Sequence, residues 1–205
     1  MTGLLLKELI MRGIIERILI VTPGGLTKQW QEDEMGVKFN IPFTLVNRSL
    51  FTADPNIFRT ANKVVTSIDF ISREDILSVV SNTSWDMVIF DEAHKLSAYE
   101  YGQKTYKSKR YEAAYVLSQQ CEHLLLLTAT PHRGRTDTFK KLLQLLDEDI
   151  FATDDVASDR VKELSKEGLN KYFIRRLKED MKDWDGHPLY KHRFTKTISY
   201  HLTPE

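Results

Sequence analysis

Apolar residues arrive in this chain as short unbroken runs rather than in alternation. Leu5, Leu6, Leu9 and Ile10 fall at helical spacing over residues 3–12, and Gly13 stops the run. RILIVTPGG (17–25) predicts a buried strand ended by Pro-Gly-Gly, and LTKQWQEDEM (26–35) a helix. KVVTSIDFI (63–71) begins as a second strand and leaves into a loop and helix. WDMVIFDEAH (85–94) is a third, and HLLLLTATPHRG (123–134) a fourth. DTFKKLLQLLDEDIF (137–151) sets Phe139, Leu142, Leu143 and Leu146 on one side of an amphipathic helix.

Uniformly apolar strands suit a parallel sheet covered by helices on both faces, and strand alternating with helix predicts an α/β fold. The tail from residue 172 differs in texture. It holds the charge run FIRRLKED (173–180), a Gly-His-Pro turn and an alternating stretch TKTISYHL. It reads as a segment leading out of a first domain of residues 1–152, with 153–205 beyond.

Ligands of a parallel α/β sheet sit at the carboxyl ends of its strands. Four polar strand ends should therefore share one crevice: Thr22–Gly25, Thr66–Ser67, Asp91–His94 and Thr128–Arg135. An aspartate there can hold magnesium through its water shell, because magnesium prefers hard oxygen ligands and keeps several waters. Asp91 is that candidate. Glu92 can orient an attacking water, and His94 can relay the state of the site. The bland alternative is that Asp91 and Glu92 only cap the next helix. Thr128 and Thr130 offer hydroxyls past a buried strand, or simply begin a polar turn. Amides at Thr27 and Lys28 near a helix start can bind phosphate; Trp30 beside them reads as a core residue. Thr66 and Ser67 can donate to a nucleic-acid backbone.

Composition removes several classes. Lys plus Arg and Asp plus Glu each number 29, so any basic surface is local. A single cysteine, Cys121, excludes a disulfide framework and points to a reducing, cytoplasmic setting. Cys121 reads as a small hydrophobe rather than a nucleophile. Its spacing to His123, with His94 and His132, matches no common zinc arrangement. No run approaches the ~20 apolar residues that a membrane span needs.

Taken in order, VTPGGLTKQWQEDE, VVTSIDFIS, VIFDEAHKL and LLLLTATPHRGRTDTF resemble motifs Ia, Ib, II and III of superfamily-two helicases. The tryptophan of the first and FIRRLKEDM…GHPLY…R downstream resemble the Swi/Snf-related branch, in its bacterial and archaeal form. The resemblance implies a RecA-like first lobe of an ATP-driven motor on double-stranded DNA. ATP and magnesium would lie between it and a second lobe. It implies that Asp91 contacts the magnesium shell, that Glu92 activates water, and that His94, Thr128 and Thr130 couple hydrolysis to the track. Pro23, Gly24, Thr66 and Ser67 would lie near the nucleic-acid backbone. Arg175 and Arg176 would brace the two lobes. Remodelling of protein–DNA complexes is the implied activity, with RNA polymerase recycling or antiphage defence as settings.

The sequence also departs from the family. No G-x-x-x-x-G-K-[ST] phosphate loop occurs in these 205 residues. In relatives, the segment after that loop reads much like MTGLLLKELIMRG, so the chain is expected to begin just downstream of it and to lack the first strand. Two readings follow. One is a lobe of a DNA translocase, inactive by itself because phosphoryl transfer depends on positioning groups that are missing. The other is a degenerate, non-catalytic module that binds protein or nucleic acid. A lobe of a DEAH-type RNA helicase is disfavoured by TATP and the downstream Arg-Arg. In the family the absent strand lies beside the motif III strand. The HLLLL strand should therefore expose an edge and favour self-association, strand exchange or a covering rearrangement.

Overall fold

A computed structural model describes residues 1–101, 104–130, 136–151, 172–174, 181–190, 196 and 198. The chain divides into two units, Met1–Arg160 and Val161–Glu205. In the first unit, α1 (Thr2–Met11) leads to β1 (Ile18–Thr22), a π-helix (Gln29–Lys38) and β2 (Thr44–Val46). Next come α2 (Arg48–Ala53), α3 (Ile57–Thr60), β3 (Lys63–Ser67), α4 (Ile68–Ile71), α5 (Glu74–Val80) and β4 (Trp85–Phe90). A hairpin of β5 (Ala98–Tyr101) and β6 (Lys104–Lys107) precedes α6 (Lys109–Ser118), β7 (Cys121–Leu126), α7 (Thr136–Leu146) and α8 (Glu148–Phe151).

The apolar runs pair into one parallel sheet in the order β2-β3-β1-β4-β7. Successive side chains of a strand point to opposite faces, and two separate cores result. Leu19, Val21, Val64, Val88 and Phe90 pack with α4 to α7, whereas Ile18, Ile20, Val65, Met87 and Ile89 pack with Leu6 of α1 and Met35 of the π-helix. Both faces are thus covered, as the unbroken apolar strands predict.

Register is what builds a site. Thr22 stands level with Ser67, Val21 with Phe90, and Phe90 with Leu126. The polar residues that follow these strands therefore emerge on one line.

Three elements depart from expectation. β2 is a fifth strand of only three residues, too short to stand out as an apolar run. The charge run KSKRY opens α6: Ser108 caps it by accepting the Tyr111 amide, and Tyr111, Ala113, Ala114 and Leu117 enter the core. On α7 the buried residues are Phe139, Leu142, Leu143 and Leu145, with Leu146 half-buried in place of the expected face residue.

β7 ends the sheet, and among the described residues it bonds to β4 alone. No rearrangement of those residues pairs with its other side. Of the second unit, the Gly-His-Pro turn is described. Gly186 takes φ 86°, Asp183 accepts the amides of Asp185 and His187, and Lys182 bridges Pro188. Arg175, Arg176, the boundary at 152–153 and nearly all of TKTISYHL lie outside the described residues.

Candidate nucleotide and nucleic-acid site

β4 ends at Phe90, and Asp91 is still tied to the sheet, its amide donating to the Val21 carbonyl at 2.8 Å. The chain then turns sharply. Glu92 adopts φ 52° and ψ 44°, a left-handed conformation that costs a non-glycine residue about 1–2 kcal/mol. The turn is held on both sides. Asp91 Oδ1 accepts the Glu92 amide at 2.8 Å, and the Ala93 amide donates to the Leu127 carbonyl at 2.8 Å. The left-handed residue is thus fixed by hydrogen bonds on either side of it, as strained backbone must be to persist.

The same turn aims His94 at the end of β7. Its Nδ1 lies 3.0 Å from Glu92 Oε2 and 3.2 Å from Thr128 Oγ1. The ring nitrogen is thus held between the Glu92 carboxylate and the Thr128 hydroxyl. Thr128 Oγ1 also accepts the Thr130 amide at 3.2 Å. Asp91, Glu92, His94, Thr128 and Thr130, all expected as site residues, thus form one connected group.

The other end of the line is different. Gly24 is exposed and sits beside Ser67, to whose Cβ an added Cβ would stand 3.9 Å distant. Pro23 is half-buried next to it, and the Thr27 hydroxyl donates to the Gly24 carbonyl at 3.0 Å. Ser67 Oγ accepts the Phe70 amide at 3.2 Å as the cap of α4, which leaves its hydrogen to donate. Thr66 corrects the expectation. Its side chain is fully buried and its hydroxyl donates to the Val46 carbonyl at 2.8 Å, so it fastens β3 to β2 and offers no oxygen to a ligand.

Sequence reasoning also misplaced Trp30. It is half-buried, not core, and its indole Nε1 donates to Asp91 Oδ2 at 2.8 Å. A partner 61 residues away leaves no local signal. Trp30 and Asp91 line a cavity of about 220 Å³ together with Met1, Thr2 and Gly3 at the start of α1. A larger groove of about 760 Å³, between α4–α5 and the start of α6, holds none of these residues and is lined by paired charges such as Arg110–Asp69 at 2.7 Å. The smaller cavity is the one that meets Asp91.

Magnesium fits Asp91 in kind. The cavity is lined by two carboxylates, Asp91 and Glu34, and Glu34 is paired with Lys38 at 2.6 Å. Each Asp91 oxygen takes one hydrogen bond, and lone pairs remain for metal-bound water, which is how magnesium is usually held. Among the described residues, the only group of three metal-ligand side chains is the exposed Asp183, Asp185 and His187 of the second unit. Cys121 is no nucleophile: burial pushes its thiol up to about 11.

Residues 1–184 match the SNF2-related domain. The chain belongs to the SNF2-related family. Over 155 residues it is 36% identical to the RNA polymerase-associated protein RapA of Yersinia enterocolitica, covering 73% of this chain and 15% of that protein. It is 37% identical over 144 residues to the uncharacterized ATP-dependent helicase YqhH of Bacillus subtilis, covering 70% of this chain and 23% of that one. The SNF2-related chain thus spans less than a quarter of the length of either relative. The Sulfolobus solfataricus SWI2/SNF2 ATPase core, solved in complex with double-stranded DNA, superposes with a TM-score of 0.57 at 16% identity, over 80% of this chain and 33% of that one. That likeness is one of fold: a RecA-like α/β lobe with a parallel sheet flanked by helices. No helix among the described residues is long and apolar enough to cross a membrane.

Proposed function

We propose that this SNF2-related chain carries the magnesium and water-activating side of an ATP-driven translocase on double-stranded DNA. The observation that carries the reading is the strained Asp91–Glu92 turn, whose Asp91 lines the cavity at the start of α1 and whose Glu92 is wired through His94 to Thr128. Asp91 holds magnesium through its water shell. Magnesium, when bound, offsets charge on the phosphate groups of ATP. Glu92 orients the attacking water and takes its proton. His94, held by Glu92 and Thr128, passes the change to the end of β7 and Thr130. Pro23, Gly24 and the Ser67 hydroxyl face the DNA backbone, which hydroxyl and amide donors contact without reading sequence.

No G-x-x-x-x-G-K-[ST] phosphate loop occurs in these 205 residues, and hydrolysis by these residues alone is expected to be negligible. The side of β7 that is unpaired among the described residues is the place where a further strand would dock. The same observations leave room for one other reading, a non-catalytic module. Calorimetry with ATP and magnesium decides between them, on this chain and on the chain joined upstream of α1 to a phosphate-loop segment. Binding in the extended form supports the motor reading. Binding in neither overturns the roles given to Asp91 and Glu92 and leaves the interaction module.

A further inference from the structure

We propose that Trp30 is a positioning residue for the Asp91 carboxylate, an inference that rests on the nucleotide reading above. The two oxygens of Asp91 are held from two directions. Oδ1 accepts the Glu92 amide and Oδ2 accepts the Trp30 indole, each at 2.8 Å. One donor per oxygen fixes the carboxylate plane as well as its direction. The identity of the second donor is what matters. An indole N–H is neutral and can only donate. It orients the carboxylate without cancelling its charge, whereas a lysine or arginine there would compete with the cation. Both oxygens keep lone pairs for water in a magnesium shell.

The indole is itself held. Gln31, one residue along, donates from Nε2 to the Phe43 carbonyl at 3.1 Å, and Met35 on the same π-helix is fully buried. π-Helical geometry is rare and concentrates at functional sites. Here it runs from Gln29 to Lys38 and carries Trp30 at its start. Trp85 supplies the contrast. It is buried, and its indole nitrogen has no hydrogen-bond partner among the described residues. Indole satisfaction is therefore not general in this chain; the half-exposed tryptophan, which water could serve, is the one bonded to the candidate magnesium carboxylate.

The test reads the indole N–H signals of the chain, which has three tryptophans, by two-dimensional proton–nitrogen NMR. Trp30→Phe, which keeps an apolar ring and loses the donor, assigns the signal. In the 205-residue chain, Asp91→Ala is expected to move the Trp30 signal alone and to speed its hydrogen exchange. This arm leaves Trp30 and its packing in place, so it stands even where Trp30→Phe folds poorly. In the phosphate-loop-extended chain, magnesium titrated at fixed ATP is expected to shift the Trp30 signal saturably. Trp30→Phe should weaken the magnesium half-saturation by about 10-fold or more, as loss of a partner behind a metal ligand does, with metal-free ATP binding unchanged. A Trp30 signal indifferent to Asp91→Ala, or an unchanged magnesium half-saturation in Trp30→Phe, overturns the role of Trp30 alone. Absence of any magnesium–ATP response in the extended wild type overturns the nucleotide reading instead, and with it the magnesium half of this inference.

Discussion

His94 and Thr128 are joined across the ends of β4 and β7, Nδ1 to Oγ1 at 3.2 Å, though 34 residues separate them. The bond makes a stability prediction that needs no nucleotide. A neutral side-chain hydrogen bond contributes about 1 kcal/mol net. Thr128→Val is expected to lower unfolding free energy in urea by about that amount, and His94→Ala by more, because it also removes the contact with Glu92. The double variant should lose less than the sum, with a coupling of roughly 0.5–1.5 kcal/mol. Strict additivity would mean that the two ends do not communicate in solution.

Gly3 gives a prediction in which two effects oppose each other. Alanine normally improves a helix over glycine by about 1 kcal/mol. At Gly3, on the buried side of α1, an added Cβ would overlap the ring of Phe39. Overpacking of this kind costs about 1–3 kcal/mol, so Gly3→Ala is expected to destabilise despite its better propensity. Adding Phe39→Ala should recover part of the loss. Thermal unfolding of the single and double variants distinguishes this from a plain propensity gain.

Much of this architecture was legible because parallel strands buried on two faces must be apolar throughout, and β1, β3, β4 and β7 are. The polar residues closing those runs were legible as one site for the same reason: in-register strands end together. What was not legible depended on length or on distant partners. β2 has only three residues. α6 hides behind Lys107, Lys109 and Arg110, which face outward while its tyrosine and alanines turn in. Thr66 and Ser67 look alike in sequence, yet the strand pleat buries the first hydroxyl against Val46 and leaves the second capping α4. Trp30 looked apolar because indole usually is. Its single polar atom found Asp91 only through the packing of the π-helix on the sheet.

Asp86 predicts an acid-side loss of stability. Its Oδ2 accepts the amides of Glu16 and Arg17 at 2.7 and 2.8 Å, pinning the approach to β1 against β4. Partial burial pushes the carboxyl up, but those amides, with the Arg17 charge, outweigh it and hold the group below the usual aspartate range. A carboxyl depressed in the folded state stabilises above its unfolded value and loses that contribution as pH falls through the folded one. Wild type should therefore lose stability progressively below about pH 4, where free aspartate begins to protonate. Asp86→Asn should start roughly 1–2 kcal/mol lower at neutral pH and show a flatter acid slope. Urea melts between neutral pH and pH 3 read both quantities, and parallel curves for the two proteins would refute the assignment.

The edge of β7 carries the last prediction. Among the described residues, Cys121–Leu126 bonds to β4 on one side only, and Leu124, Leu125 and Leu126 are half-buried where a central strand would be sealed. An apolar strand with free amides and carbonyls along one side is a template for another strand. In this chain by itself the available strand is a second copy of the same edge. Sedimentation should show mass rising with concentration, and amide exchange within Cys121–Leu126 should slow as association proceeds, while the amides of β1, already paired on both sides by β3 and β4, stay unchanged. Docking a phosphate-loop strand upstream of α1 should compete for that edge and restore a monomer. A chain that stays monomeric at high concentration, with fast exchange along β7, would refute this role for the edge.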